Sequence, residues 1–414
     1  MSLIKPFRGL RPAAGRAGDV AAPPYDVVDR SEAKALADGR PWSFLHISRP
    51  EIDLSDDVDA HDPAVYMQGR QNLDRMISEG ILVRDELPCY YAYRLTMGEH
   101  RQTGLVAGAS IEAYDRNRIR KHEFTRPVKE DDRVRQIDAL NAQTGPVFLV
   151  YPANAVVDNI LRKVSTAPSD IDVMAARDGV RHEIWKIDDP QIIAELTAAF
   201  EGMPAIYVAD GHHRSAAGSR VGRARREANP QHTGDEGYNY FLSVIFPHDQ
   251  MQILDYNRVV RDLNGNSKEE FLARVGEAFD LELLGDPFKP AQPGEFGMFL
   301  DGQWYRLQIH EDRIPSGDPV GRLDVSLLQA NLMDPILGIT DPRRDDRIDF
   351  VGGIRGLEEL ERRTAGGQWA VAFAVYPTTI QALIDVADAG EVMPPKSTWF
   401  EPKLADGLIS HVLD

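Results

Sequence analysis

The stretch Ala205-Ile-Tyr-Val-Ala-Asp-Gly-His-His-Arg-Ser-Ala-Ala-Gly-Ser219 decides how the rest of the chain is read. Its first five residues form a short apolar run rich in β-formers, which predicts a buried strand. Asp210 and Gly211 end that strand, and Ser215 opens an Ala- and Arg-rich segment that predicts a helix. A strand, a tight turn and a helix in this order direct backbone N–H groups and the positive end of a helix toward one point. Such a point binds phosphate well.

The residues of the turn have the chemistry that a phosphate site requires. Gly211 lets the backbone approach a ligand closely because it has no Cβ. Arg214 and Ser215 supply donors, and a guanidinium group can bind two phosphate oxygens at once. We expect the N–H groups of Gly211, His212 and His213 to take part in holding the phosphates. The alternative is that the polar residues only cap the helix.

The segment Ala209-Asp-Gly-His-His-Arg-Ser215 resembles the signature of the domain of unknown function 1015 family of bacteria and archaea. It resembles, more distantly, the phosphate-binding Gly-x-x-Arg box of the ParB/sulfiredoxin-like superfamily, which includes an ADP-dependent free-serine kinase. The first resemblance covers essentially the whole chain, whereas the second depends mainly on the central turn. The other stretches that fit the first family are Pro6-Phe-Arg-Gly-Leu-Arg-Pro12, Ala22-Pro-Pro-Tyr-Asp-Val-Val28, Lys121-His-Glu-Phe-Thr125, Lys129-Glu-Asp-Asp-Arg133 and Met393-Pro-Pro-Lys-Ser-Thr-Trp-Phe400.

Composition excludes several classes of protein. The 414 residues include 43% hydrophobic and 27% charged side chains, as in ordinary globular proteins. The formal net charge of −18 repels nucleic acid and anionic membrane surfaces. The single cysteine, Cys89, leaves no disulfide framework and no Cys-rich zinc site, and its neighbours predict a buried strand residue. With no signal-peptide core and no apolar run as long as a membrane span, we expect a cytoplasmic protein.

A second polar cluster follows two predicted strands, between residues 119 and 133. It combines cations suited to phosphates with carboxylates suited to a metal or a proton, and a histidine that titrates near neutral pH. In an arbitrary protein such a run of charges is a solvated face. The candidates are Lys121, Lys129 and Arg133 for phosphate binding, His122 and Glu123 for proton transfer, and Thr125 and Asp132 for the substrate.

Two proline-stiffened loops are the remaining candidates. In Ala22-Pro-Pro-Tyr-Asp26 each proline fixes its own φ, so the loop presents Tyr25 and Asp26 at a set angle. Lys396 follows two prolines near the C-terminus, and the family position favours this loop folding back over the centre. The alternatives are a structural N-terminal loop with Asp26 as a helix cap, and a surface lysine at 396.

The fold we predict is α+β, with mixed sheets and surrounding helices and with the phosphate-binding turn in a cleft between two lobes. The main lobe is predicted over residues 1–264. The C-terminal lobe is predicted over 265–414, with its 393–403 loop folding back to the cleft. Residues 44–47 are predicted to form a strand.

The resemblance to the serine kinase implies phosphoryl transfer between a nucleotide, ATP or ADP, and a small hydroxyl compound such as serine. Such a reaction needs positioning and charge neutralisation more than covalent chemistry. Asp210 or Glu123 would accept the hydroxyl proton, with His212 as the second candidate, and a suspected Mg²⁺ would bind to Asp210 or Glu123. One alternative is a non-catalytic nucleotide or ligand sensor. Another is a metal-dependent phosphohydrolase whose ligands are Asp210, His212, His213, His122 and Glu123.

Overall fold

The computed structural model describes residues 2–175 and 178–414. The chain divides into two compact units, one made of residues 1–251 with 402–414 and the other of residues 252–401. The division therefore comes 13 residues before the predicted position, and the last 13 residues belong to the first unit rather than the second. Residues 264–267 read as a linker because of their Asn and Gly, but they form the N-terminal turn and cap of a helix within the second unit.

Strands and helices both occur in each unit, and the predicted α+β class is confirmed. The strands are β1 (Ile4–Lys5), β2 (Gly9–Pro12), β3 (Leu82–Arg84), β4 (Tyr90–Met97), β5 (His100–Ser110), β6 (Ile119–Arg120), β7 (Ala142–Gln143), β8 (Val147–Tyr151), β9 (Ile171–Met174), β10 (Arg181–Ile187), β11 (Ile206–Asp210), β12 (Tyr240–Pro247), β13 (Gln252–Leu254), β14 (Tyr256–Val260), β15 (Phe279–Leu284), β16 (Glu295–Leu300), β17 (Gln303–Ile309), β18 (Ile348–Gly352), β19 (Val371–Val375), β20 (Trp399–Glu401) and β21 (Ser410–Val412).

The α-helices alternate irregularly with these strands, and short 3₁₀ turns join several of them. The helices are α1 (Ala17–Val20), α2 (Arg30–Ala37), α3 (Leu45–Ser48), α4 (Pro63–Ser78), α5 (Ile111–Asp115), α6 (Pro127–Leu140), α7 (Ala155–Val164), α8 (Pro190–Glu201), α9 (His212–Ala228), α10 (Lys268–Val275), α11 (Asp324–Leu328), α12 (Glu358–Ala365) and α13 (Ile380–Asp388). In the described part of the chain, none of them is long and apolar enough to cross a membrane.

The first unit is built on a mixed sheet of order β6-β11-β8-β12-β5-β4-β10-β9, with β1 paired to β5. β11 runs parallel to β6 and antiparallel to β8, while β8 and β12 are parallel. Every residue of β8 and β12 is buried, as expected for central strands covered on both faces. The sheet thus places the end of β11, where the central turn begins, next to β8.

A small antiparallel sheet of order β3-β2-β21-β7 brings the C-terminus into the first unit. Leu10 of β2 pairs with Ser410 of β21, and His411 pairs with Gln143 of β7. A separate bridge joins Ala22 to Asp406. Because of these pairings, residues just before β21 lie beside the N-terminal proline loop.

The second unit contains an antiparallel sheet of order β15-β17-β16-β19-β14-β18. Its short strands β13 and β20 form a separate pair, with Ile253 opposite Phe400. The apolar core of this unit includes Val259, Trp304 and Leu360, which are at most 4% exposed.

The strand predicted at residues 44–47 is wrong, because Leu45–Ser48 forms helix α3. Phe44, Leu45 and Ile47 all bury their side chains in the same core, whereas a strand would alternate them between two faces. A stretch of four residues, three of them apolar, is too short for periodicity to distinguish a strand from a helix.

Candidate functional site

The central turn has the predicted order of strand, turn and helix, but helix α9 begins at His212 rather than at Ser215. β11 shifts register against β8 between Val208 and Asp210, so a bulge changes the direction of the chain just before the turn. Gly211 adopts φ +90° and ψ 28°, a left-handed conformation that glycine tolerates. Its carbonyl accepts hydrogen bonds from the N–H groups of Arg214 (2.9 Å) and Ser215 (3.0 Å), and helix α9 begins there.

Two of the three N–H groups predicted to bind phosphate remain available. The N–H of Gly211 donates to Asp210 Oδ1 at 2.7 Å, which removes it from the predicted set. Within residues 2–175 and 178–414 the N–H groups of His212 and His213 have no acceptor. They carry the partial positive charge of the start of a 17-residue helix.

Arg214 turns back from the first turn of α9 and is largely buried, with 13% of its side chain exposed. It donates to the Pro146 carbonyl and to Asp26 Oδ2, both at 3.0 Å. Its guanidinium carbon lies 5.3 Å from the centre of the Tyr25 ring, and its Nε is buried without a hydrogen-bond partner. A buried donor without a partner is costly, and a ligand oxygen would satisfy it.

Arg133 approaches the same Tyr25 ring, with its guanidinium carbon 3.9 Å from the ring centre. It is held by Asp132, whose Oδ2 accepts from Arg133 Nε at 2.9 Å. Asp132 also accepts from the Tyr66 hydroxyl at 2.7 Å, and His61 Nδ1 lies 3.2 Å away. Burial raises the pKa of Asp132, but Arg133 and these hydrogen bonds lower it below its usual value, so Asp132 is a charged anchor for Arg133.

These side chains line a cavity whose lining residues all belong to the first unit. Three predicted site residues, Tyr25, Arg133 and Arg214, line it together although they are far apart in sequence. The full lining is Tyr25, Ser48, Arg133, Gln136, Ile137, Ala142, Gln143, Thr144, Gly145, Val147, Arg214 and Asp406.

Asp406 is a carboxyl group of this cavity that the sequence did not single out. It is 2% exposed, and its Oδ2 accepts the Tyr25 N–H at 3.3 Å, while its Oδ1 has no hydrogen-bond partner among the described residues. Burial raises the pKa of Asp406 to about 7; Arg214 opposes the rise and the Asp26 carboxylate adds to it. This carboxyl therefore exchanges a proton near neutral pH.

Asp210, unlike Asp406, is held in its ionised form by a neighbouring cation. Its Oδ2 forms a 2.9 Å ion pair with Lys403, and 42% of its side chain is accessible. Desolvation raises the pKa of Asp210, but Lys403, Arg214 and the Gly211 N–H outweigh it and hold the pKa far below its usual value. A carboxylate stabilised to this degree is a weak proton acceptor.

His122 and His212 form a buried pair at the other predicted catalytic positions. Their rings meet edge to face with centres 4.5 Å apart, and they are 2% and 4% exposed. Burial lowers the pKa of His122 to about 4, and burial and the neighbouring His122 hold the pKa of His212 well below its usual value. Both rings are neutral at pH 7. His122 was expected to titrate near neutral pH, and its buried, neutral ring contradicts that expectation. Neither of its ring nitrogens has a well-formed hydrogen bond within the described residues.

The remaining candidates of the second cluster surround the start of α6. Glu123 Oε2 is 3.8 Å from His212 Nδ1, and Lys121 Nζ lies 4.2 Å from the centre of the Tyr114 ring. Thr125 donates to Glu130 at 2.8 Å. Lys129 is exposed.

His213 and Lys396 complete the predicted set. His213 Nε2 accepts the Arg126 N–H at 3.0 Å, and burial lowers its pKa. Lys396 belongs to the second unit, where its backbone has φ +60° and its Nζ lies 5.2 Å from the centre of the Tyr256 ring. Its predicted part in phosphate binding stays a prediction.

The predicted metal ligands do not form a metal centre by themselves. In the part of the chain that the structure describes, no group of three or more His, Cys, Asp or Glu side chains is placed to hold an ion. Asp210 is already bound to Lys403, and His122 and His212 face each other. The described side chains therefore do not fit a Mg²⁺ or Zn²⁺ ion bound by the protein alone.

Lys403, Asp406 and Gly145 are the residues that sequence reasoning missed. Asp406 lies in Ala405-Asp406-Gly407, the same tripeptide as at the central turn. The tripeptide alone is a weak indication of a site, because it also occurs as Ala37-Asp38-Gly39, where Asp38 is exposed to solvent. Only the pairing of the chain ends places residues 403 and 406 beside the turn.

The fold and site define an α+β protein with an arginine-lined cavity beside a strand–glycine–helix turn. Residues 4–326 match the family described as "Protein of unknown function (DUF1015)", and the chain belongs to that family. No curated protein matches it in sequence.

Solved structures with related folds include free serine kinase in complex with AMP, at 12% identity over 72% of this chain and 86% of that one, with a TM-score of 0.34. A conserved hypothetical protein from Pyrococcus furiosus has 13% identity over 75% and 95%, with a TM-score of 0.35. C-terminally truncated SbnI from Staphylococcus aureus has 10% identity over 72% and 82%, with a TM-score of 0.38.

Proposed function

We propose that this protein binds a nucleotide or another phosphorylated small molecule at Arg214 and transfers a phosphoryl group to a small hydroxyl compound. Serine is the first candidate for that compound, because the central turn resembles that of the serine-kinase superfamily. The observation that carries the proposal is the cavity itself, in which the guanidinium groups of Arg133 and Arg214 both face Tyr25.

Phosphoryl transfer depends on holding the phosphates and neutralising their charge. Arg214 is suited to this because its Nε has no acceptor and because Asp26, its carboxylate partner, is partly exposed and replaceable by a phosphate. The free N–H groups at the start of α9 and the exposed Lys129 add positive potential nearby.

The test is calorimetric titration with ATP, ADP, CTP and phosphoserine in the presence of Mg²⁺, followed by a phosphorus NMR assay with hydroxy-amino acids as acceptors. We expect one nucleotide to bind and its phosphoryl group to appear on an acceptor. No heat with any of these compounds would overturn nucleotide and phosphate binding together.

Gly145 provides a variant that changes the cavity without straining the backbone. A Cβ at this position would lie 3.3 Å from Arg214 Nε and 3.5 Å from Asp406 Oδ1. We expect Gly145→Ala to weaken nucleotide binding about tenfold, because the added methyl occupies the space beside the free Nε. Gly18→Ala is the matched control, since a Cβ there meets nothing within 4 Å. Equal affinities for the two variants, measured by calorimetry, would place the ligand outside the cavity.

A second candidate function is a ligand sensor without turnover. It is favoured by the ion pairs that already engage Asp26, Asp132 and Asp210. Nucleotide binding that survives Asp210→Asn, with no transfer or hydrolysis in the parent protein, would support the sensor over the enzyme.

A further inference from the structure

The cavity contains one carboxyl oxygen that the fold leaves without a partner. Asp406 is 2% exposed and its Oδ1 accepts no hydrogen bond in the described part of the chain, whereas Oδ2 is fixed by the Tyr25 N–H. The bridge between Ala22 and Asp406 holds the backbone of this residue on both sides, with N–H to O distances of 3.2 and 2.9 Å. The side chain is therefore rigidly placed with one acceptor open.

Gly145 shows where that acceptor points. The position that a Cβ of residue 145 would occupy is 3.5 Å from Asp406 Oδ1 and 3.3 Å from Arg214 Nε. A carboxyl acceptor and a guanidinium donor, both without partners, thus border the same small space. A hydroxyl group that attacks a phosphate suits this space. It can give its proton to the carboxyl acceptor, and the guanidinium donor can stabilise the negative charge that then develops on its oxygen.

The other carboxylates near the cavity are engaged by cations. Asp210 is bound to Lys403, Asp132 to Arg133, and Asp26 to Arg214. Lys403 and Arg133 favour the ionised forms of Asp210 and Asp132, which weakens these two carboxylates as bases. Asp406 has no ion pair within the described residues. The groups that face it are Arg214 on α9, Arg133 on α6, Tyr93 on β4, and Asp26 with the Tyr25 N–H on the N-terminal loop. Burial raises the pKa of Asp406 to about 7, which suits a proton acceptor at neutral pH.

We propose that Asp406 is the catalytic base, which accepts the proton of the substrate hydroxyl in the phosphoryl transfer proposed above, on which this inference rests. The hydroxyl oxygen forms a bond to the terminal phosphorus of the nucleotide, and its proton moves to Asp406 Oδ1. The bond from that phosphorus to the bridging oxygen breaks, and the leaving nucleotide keeps the electron pair. Arg214 Nε is placed to stabilise the charge that develops beside Asp406.

The experiment measures phosphoryl transfer by phosphorus NMR and ADP binding by calorimetry in the full chain, as parent, Asp406→Asn and Asp406→Glu. Asparagine keeps an oxygen for the Tyr25 N–H but cannot take a proton. We expect transfer to fall about 10²- to 10⁴-fold in Asp406→Asn while ADP affinity changes by less than about threefold. We expect Asp406→Glu to retain part of the activity. The rate of the parent should rise with pH to a plateau above about pH 7, and the residual rate of Asp406→Asn should lack that rise.

Asp324→Asn is the matched control, because Asp324 in the second unit is also a carboxyl whose pKa burial raises, to about 6, and it also accepts a backbone N–H, that of Gly294. It should leave transfer unchanged. If Asp406→Asn keeps more than a tenth of the parent rate with the same pH profile, the inference is overturned and the proposed function stands. If the parent binds ADP but transfers nothing to any acceptor, both are overturned.

Discussion

Replacing Arg214 by alanine is expected to weaken ADP binding at least 100-fold and to destabilise the first unit. Two charge-assisted hydrogen bonds to phosphate are worth about 1.5–3 kcal/mol each, and 100-fold in affinity corresponds to about 2.7 kcal/mol. The substitution also leaves Asp26 without the cation of its ion pair, which we expect to cost about 2 kcal/mol of unfolding free energy because Asp26 is partly exposed. Calorimetry and urea unfolding measure the two effects.

Arg220→Ala is the control for this substitution. Arg220 lies on the same helix, but its pairs with Glu130 and Asp131 are at the surface, with 43% of its side chain exposed. Surface pairs contribute little, so both affinity and stability should remain close to the parent values. Arg214→Lys should keep part of the affinity because it retains the positive charge. It should lose the remainder because a lysine cannot form the bidentate hydrogen bonds of a guanidinium group. An Arg214→Ala protein that binds ADP as tightly as Arg220→Ala would show that the ligand does not depend on this cavity.

Acidification from pH 8 to pH 5 is expected to cost the first unit about 5 kcal/mol of unfolding free energy. Burial lowers the pKa of His122, His182 and His411 to about 4 each, and it also holds the pKa of His212 well below its usual value. In the unfolded chain these rings bind protons below about pH 6.5, whereas in the folded unit they stay neutral, so stability is lost as the pH falls through 6.5 toward 4. Each ring contributes about 2 kcal/mol at pH 5. Asp406 offsets about 3 kcal/mol of the total, because its raised pKa makes the folded state bind a proton below pH 7.

His182→Gln isolates one part of this acid effect, since His182 is 2% exposed and lies away from the cavity, with Nδ1 2.9 Å from the Tyr93 hydroxyl. The loss of stability between pH 8 and pH 5 should shrink by about 2 kcal/mol in this variant. His310→Gln, at a partly exposed residue paired with Asp280, controls for the substitution itself. Hydrogen exchange of β5 and β12 reports on the first unit alone. An unchanged pH dependence in His182→Gln would mean that this ring is not kept neutral by burial.

The central turn was predictable because its signals are local. An apolar run ends at Asp210-Gly211, and a helix with Arg and Ala follows, so neighbouring residues alone specify strand, left-handed glycine and helix. The residue type and turn position of Arg214, and the family resemblance for Tyr25, indicate site residues, and the structure brings both to one cavity with Arg133 of the second polar cluster. The strand predicted at residues 44–47 is wrong because a four-residue stretch with three apolar side chains is too short to show a period.

The sequence by itself determined the α+β class, the turn at Gly211 and the arginines beside it, since each depends on residues close together in the chain. Only the tertiary structure decided which carboxyl can exchange a proton. Asp210 and Asp406 each lie in a copy of the tripeptide Ala-Asp-Gly. Lys403 nevertheless lowers the pKa of Asp210, whereas burial raises the pKa of Asp406. The difference comes from charges and burial supplied by segments nearly 200 residues away, and a pKa depends on distances in space that no local pattern records.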